Sequence, residues 1–223
     1  MRLWMWNTGW VLLAWGWMGP LPRLAETSFT AHMSLHMLVV AVVAPLLSIA
    51  VAGCRFDPAR HFPKWFVAVP ASVGELLIVW AWHSPVLHHW ARHDLAGIVV
   101  EQVSFLAAGL WVWLSAFGGS QPRDRARSGA GVVGLLLTSM HMTLLGALLT
   151  LSPRLLFHHP HGWLGWSPLF DQHLGGAVML VIGGAAYLAG GLWLMRDCLR
   201  SAEPQAADRR QGLQNFAVSG ERT

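Results

Sequence analysis

The sequence predicts an all-α protein: a polytopic membrane helix bundle of about six transmembrane helices with both termini in the cytoplasm. Three observations predict it. Of 223 residues, 54% are hydrophobic and only 12% are charged, about half the ~25% charge of an ordinary soluble domain. The apolar residues are gathered into runs, most of them near the ~20 residues that a spanning helix needs. Lys and Arg fall unevenly on alternate connectors, as membrane topology requires. The same figures exclude a soluble globule, a disordered chain and a disulfide scaffold. The calculated pI near 10.0 raises the question of nucleic acid, but no nucleic-acid-binding signature is present. The basic residues sit in short stretches between apolar runs, so the partner they imply is the lipid bilayer.

The runs are Leu3–Gly19, Phe29–Gly53, Trp65–Ser84, Leu95–Phe117, Gly129–Leu151 and Leu174–Met195. Polar, proline-bearing connectors such as 55–64 and 118–127 separate them. The first run is short and begins at Arg2, as a signal peptide would. Tryptophans, Trp4, Trp6, Trp10 and Trp15 among them, interrupt it and no small-x-small cleavage site follows, so it reads as a retained helix. Residues 1–197 thus form the bundle, and 198–223 form a polar cytoplasmic tail expected to be disordered. On one side of a six-helix topology stand Arg2, Arg55, Arg60, Lys64, Arg123, Arg125, Arg127, Arg196, Arg200, Arg209, Arg210 and Arg222; on the other stand Arg23, Arg92 and Arg154. The richer side is cytoplasmic by the positive-inside rule. Cys54 and Cys198 then lie at cytoplasmic helix ends, reduced and structural.

The same topology puts eleven of the twelve histidines at mid-membrane or outward, His61 being the exception. Ionisable groups inside a membrane are expensive to keep, so those within the runs are the informative ones. His32 and His36 stand four apart on the second helix and share a face, flanked by Met33 and Met37. Such a pair can chelate one metal ion, and thioethers beside imidazoles favour a soft ion such as Cu(I). Met140-His141-Met142 is a second His–Met concentration, for which the alternative is gap-filling methionine and a hydrogen-bonded histidine. His83 ends the third helix before Ser84-Pro85, where proline breaks the helix. At the sixth, Asp171 either favours the helix dipole or orients a ligand, and His173 is the better-placed ligand. The loop histidines 88, 89, 93, 158, 159 and 161 read equally as interfacial residues. Glu75 and Glu101 fall inside apolar runs, where each must be protonated, paired or beside a cavity; Glu101 can reach the histidine group.

The ordered segments Thr30–Met37 with Ala44-Pro45-Leu46-Leu47, Trp82-His83-Ser84-Pro85, Glu101–Trp113 with Phe105 and Gly109, Met140-His141-Met142 with Gly146, and Asp171–Gly175 resemble the CtaG-type cytochrome c oxidase assembly factors. The likeness runs from about residue 9 to 195. It implies a non-enzymatic, multi-pass protein of the bacterial plasma (inner) membrane that helps mature a copper-containing terminal oxidase. Its implied partners are an oxidase subunit or another copper chaperone. Where the family pattern often reads Glu-His, this chain reads Glu101-Gln102. The residue chemistry suggests an outward-facing His/Met site for Cu(I), with His32, His36, Met37, His83, His141 and His173 as candidate ligands. The alternative from another class is a b-type haem electron-transfer protein with axial histidines on several helices. A proton-coupled metal transporter using Glu75 and Glu101 is a third reading, disfavoured by the lack of histidines toward the cytoplasm.

Overall fold

A computed structural model describes residues 2–120, 125–157 and 165–200. His158, His159, His161 and the segment 201–223 lie outside the described residues. Among those described, every regular element is helical and no strand occurs.

Among the described residues, nine helices run in order. α1 is Leu3–Met18, α2 Leu21–Thr27, α4 Pro58–His61, α5 Ala68–Trp82, α6 Pro85–His93, α7 Leu95–Phe117 and α8 Arg125–Thr150. α3 (Phe29–Val51) and α9 (Pro168–Arg200) each run unbroken through an internal π-helical stretch. Four helices, α3, α7, α8 and α9, are long and apolar enough to cross a membrane; α5 is apolar but has 15 residues. α1 has 16. A helix occupies each of the six anticipated runs, yet among the described residues only four helices meet the length and composition of a span. The short α2, α4 and α6 occupy stretches read from sequence as connectors.

Most boundaries follow local chemistry. Ser28 Oγ accepts from Ala31 N at the start of α3, and Ser84 and Asp94 cap α6 and α7 in the same way. Pro85 and Pro168 occupy the first helical turn, where their missing N–H costs nothing. That is why α9 begins at Pro168, six residues before its apolar run.

Pro45 shapes the middle of α3. It has no N–H to donate and disrupts a helix interior, and the π-helical stretch Leu38–Val43 ends two residues before it. Ala44 N donates back to Val39 O, bypassing the Val40 carbonyl, which Pro45 cannot reach with a donor. Trp113 Nε1 donates to that carbonyl at 3.1 Å. The Tyr187 hydroxyl donates to Glu75 Oε1 at 2.5 Å and also lies 3.3 Å from Val40 O. Four helices (α3, α5, α7 and α9) therefore meet at one buried polar knot, which gives Glu75 its partner.

Connections alternate between the two ends. At one end Arg2 N donates to Ala50 O. There too the Asp57 carboxylate accepts from Gly53 N, Ala59 N and Gly119 N at 2.7–2.9 Å. Gly119 has φ +96°, a backbone conformation suited to glycine. This end carries Arg55, Arg60, Lys64, Arg125 and Arg200. α3 starts, α5 ends, α7 starts, α8 ends and α9 starts at the other. Gly146 and Gly176 set the α8–α9 crossing. A Cβ on Gly176 would stand 2.6 Å from Thr150 N and 2.8 Å from Gly146 O.

Candidate metal centre

At the end opposite the arginines, side chains from four helices converge. His32 and His36 occupy the first two turns of α3 and are fully buried. His83 caps the C-terminus of α5, and its ring lies 6.2 Å from that of His32 and 5.7 Å from that of His36, centroid to centroid. It therefore borders both. His88 on α6 packs edge-on against His32 at 5.0 Å. Glu101 on α7 presents Oε1 4.0 Å from His32 Nε2. One ligand atom each of His32, His88 and Glu101 lie within 4.8 Å of one another. Aromatic rings close the sides: Phe105 against His36 at 4.0 Å, Phe29 against His32 at 6.0 Å, and Phe157 against His88 at 4.4 Å.

The nitrogens are the decisive feature. Both ring nitrogens of His32 and of His36 are buried without a hydrogen-bond partner among the described residues, and so is His83 Nε2. An unsatisfied buried polar group costs about 1–3 kcal/mol, so five this close together make a costly cluster. His83 shows what they suit. Its Nδ1 lies 2.6 Å from the Val79 carbonyl; since a carbonyl can only accept, Nδ1 carries the proton and Nε2 keeps its lone pair. Neutral imidazoles with free lone pairs in an apolar enclosure fit a borderline-soft or soft cation.

The remaining candidates lie elsewhere. Met37 is buried toward α9, its Sδ beside Gly183 and near Met142, because one residue past His36 turns about 100° away from the histidine face. His141 lines the α5–α8 crevice with Ser72, Leu76 and Leu137. His173 Nε2 lies 2.9 Å from Ser152 O. The six residues do not form one cluster: His32, His36 and His83 come together, while Met37, His141 and His173 do not. Phe29 packs against His32 and Phe105 against His36, and nothing found supports the haem alternative.

The Asp171-Gln172-His173 run proves to be an anchor. The Asp171 carboxylate accepts from Ser28 Oγ, at 2.9 and 3.1 Å, and from Phe29 N at 2.6 Å, and its carbonyl accepts from Thr30 Oγ1 at 2.8 Å. It thus satisfies the N-terminus of α3, the helix that carries His32 and His36. Gln172 Oε1 accepts from Leu156 N and its Nε2 donates to Arg154 O, which holds the loop bearing Phe157 against His88.

Sequence reading treated His88 and Arg92 as loop residues. The signal for α6 was present in Ser84-Pro85, an N-cap followed by proline at the first helical position. The helix turns His88 and Ala91 inward and leaves His89 and His93 exposed, their rings stacked at 3.9 Å. Arg92 Nη2 donates to Glu101 Oε2, and Gln102 Nε2 donates to the same oxygen at 3.3 Å.

A family model described as cytochrome c oxidase caa3 assembly factor (Caa3_CtaG) matches residues 1–201. The chain belongs to this family. No curated protein and no solved structure matches it. As a Caa3_CtaG member, the chain has its whole described helical bundle, the histidine centre included, inside the family match. Gln102, where a histidine is often expected, supplies a hydrogen bond to Glu101 here.

Proposed function

We propose that this Caa3_CtaG member serves assembly of a copper-containing cytochrome c oxidase by binding Cu(I) at His32, His36 and His83 and handing it on. The observation that carries the reading is the set of buried imidazole nitrogens on α3 and at the end of α5 that have no hydrogen bond among the described residues. Copper is cargo in this account. Imidazole donors suit Cu(I), and a site without thiolate releases it more readily than a cysteine cage would. His83 neighbours both members of the α3 pair and can exchange as a ligand while the other two hold the ion. His88 and Glu101 stand beside them as the neighbours through which the ion enters or leaves.

The direction of delivery follows from charge. Arginines crowd the far end of the bundle, so the histidine end faces away from the cytoplasm under the positive-inside rule, toward the copper-receiving domain of an oxidase subunit or a separate copper chaperone. The membrane is the bacterial plasma membrane in this account.

Purified protein in detergent, titrated anaerobically with Cu(I) against a chromophoric chelator, tests the reading. Wild-type protein is expected to take up the ion, and the double variant His32→Ala/His36→Ala to lose that uptake while keeping its helical content. Equal uptake by both proteins would overturn it.

A further inference from the structure

We propose that Arg92 is a resident cation that competes with the incoming metal ion for Glu101, and so keeps copper binding weak enough for release. The proposal rests on the copper reading above and concerns how that site is regulated.

Glu101 is fully buried, yet its two oxygens have different surroundings. Oε2 receives Arg92 and Gln102. Oε1 points to His32 Nε2 at 4.0 Å and has no hydrogen bond among the described residues. One carboxylate therefore faces a guanidinium on one side and the imidazole centre on the other. With Arg92 in place, its charge and that of Glu101 cancel. A monovalent metal ion entering beside His32 then adds an uncompensated charge to a dry site, next to a guanidinium whose side chain is only 9% exposed. Repulsion between like charges there is weakly screened.

The structure also offers the guanidinium somewhere to go. A cavity of about 430 Å³ adjoins it, lined by Trp17, Glu26, Leu35, Arg92 and Gln102 among others. Glu26 supplies a second carboxylate on that wall. Loading then replaces one cation by another at Glu101: the metal ion enters, Arg92 swings into the cavity toward Glu26, and neither a proton nor an electron has to move. Return of Arg92 accompanies release.

The account makes a signed claim, because removing a buried charge partner usually weakens a site. Arg92→Gln should bind Cu(I) tighter, by roughly tenfold or more, and release it more slowly to a chelator in stopped flow. Arg92→Lys, which keeps the charge, should stay near wild type. Glu101→Gln should bind more weakly, and the double variant Arg92→Gln/Glu101→Gln should return toward wild type, since the two charges are removed together. A purely structural Arg92 would instead weaken binding in Arg92→Gln and leave the double variant at least as impaired. Wild-type protein that binds no Cu(I) overturns the metal-site reading and this one with it. Wild-type binding with Arg92→Gln unchanged or weaker overturns this inference alone. Should Arg92→Gln fail to fold, Glu26→Gln carries the test. It is expected to weaken binding without changing the thermal midpoint, and an unchanged affinity would overturn the proposal.

Discussion

Asp171 shows how much of the centre depends on a residue that is not a ligand. Its carboxylate satisfies the first donors of α3 from a different helix, and His32 sits on that first turn. Replacing it by alanine should cost roughly 1–3 kcal/mol, the scale of a lost cap together with unsatisfied donors. A lowered thermal midpoint in detergent, accompanied by weaker Cu(I) uptake, is the expected result; an unchanged midpoint would show that water replaces the carboxylate at no cost. The His-x-x-x-His pair was legible because angular spacing along one helix is a property of sequence. The company it keeps was not. Met37 follows His36 directly and reads as a natural co-ligand, yet the helix turns it toward Gly183. His173 reads as a ligand, yet it lies against Ser152 O.

The helices themselves were readable wherever apolar runs were long. α7 occupies Leu95–Phe117 as anticipated, because Asp94 caps it and Gly118 ends it. α6 was missed since nine residues of amphipathic helix carry too few apolar positions to stand out from a loop, and with α6 went His88 and Arg92. The π-helical stretch of α3 could not be anticipated in detail, although Pro45 marks its place. Its consequence is testable: Tyr187→Phe removes the hydroxyl that reaches Glu75 and Val40 O and should destabilise the bundle by about 1–3 kcal/mol, whereas Glu75→Gln, which keeps an acceptor, should cost less. Equal losses would argue against the hydroxyl as the centre of the knot. At the α8–α9 crossing, Gly176→Val brings a side chain against the Thr150 and Gly146 backbone and should cost roughly 1–3 kcal/mol or more by overpacking, read from thermal unfolding.

For the whole molecule, the two ends differ in chemistry: most of the arginines and both cysteines gather at one, the cluster of buried imidazoles at the other. Composition made the membrane setting plain, and the order of histidines along the chain made the segregation plain; neither contained the contacts that join α3, α5, α6 and α7. The orientation proposed from the charge asymmetry can be tested at Cys54, which is half-buried at the basic end. A membrane-impermeant maleimide should label it in inverted membrane vesicles and not in right-side-out ones. The opposite pattern would place the histidine centre in the cytoplasm and remove the case for outward delivery. The central claim, that α3 and α5 together form an imidazole site for Cu(I), is met most directly by X-ray absorption on the Cu(I)-loaded protein. The account predicts a sulfur-free shell of light (nitrogen or oxygen) scatterers with imidazole outer scattering that is lost in His32→Ala/His36→Ala. A sulfur-dominated shell, or a spectrum unchanged in that variant, would contradict it.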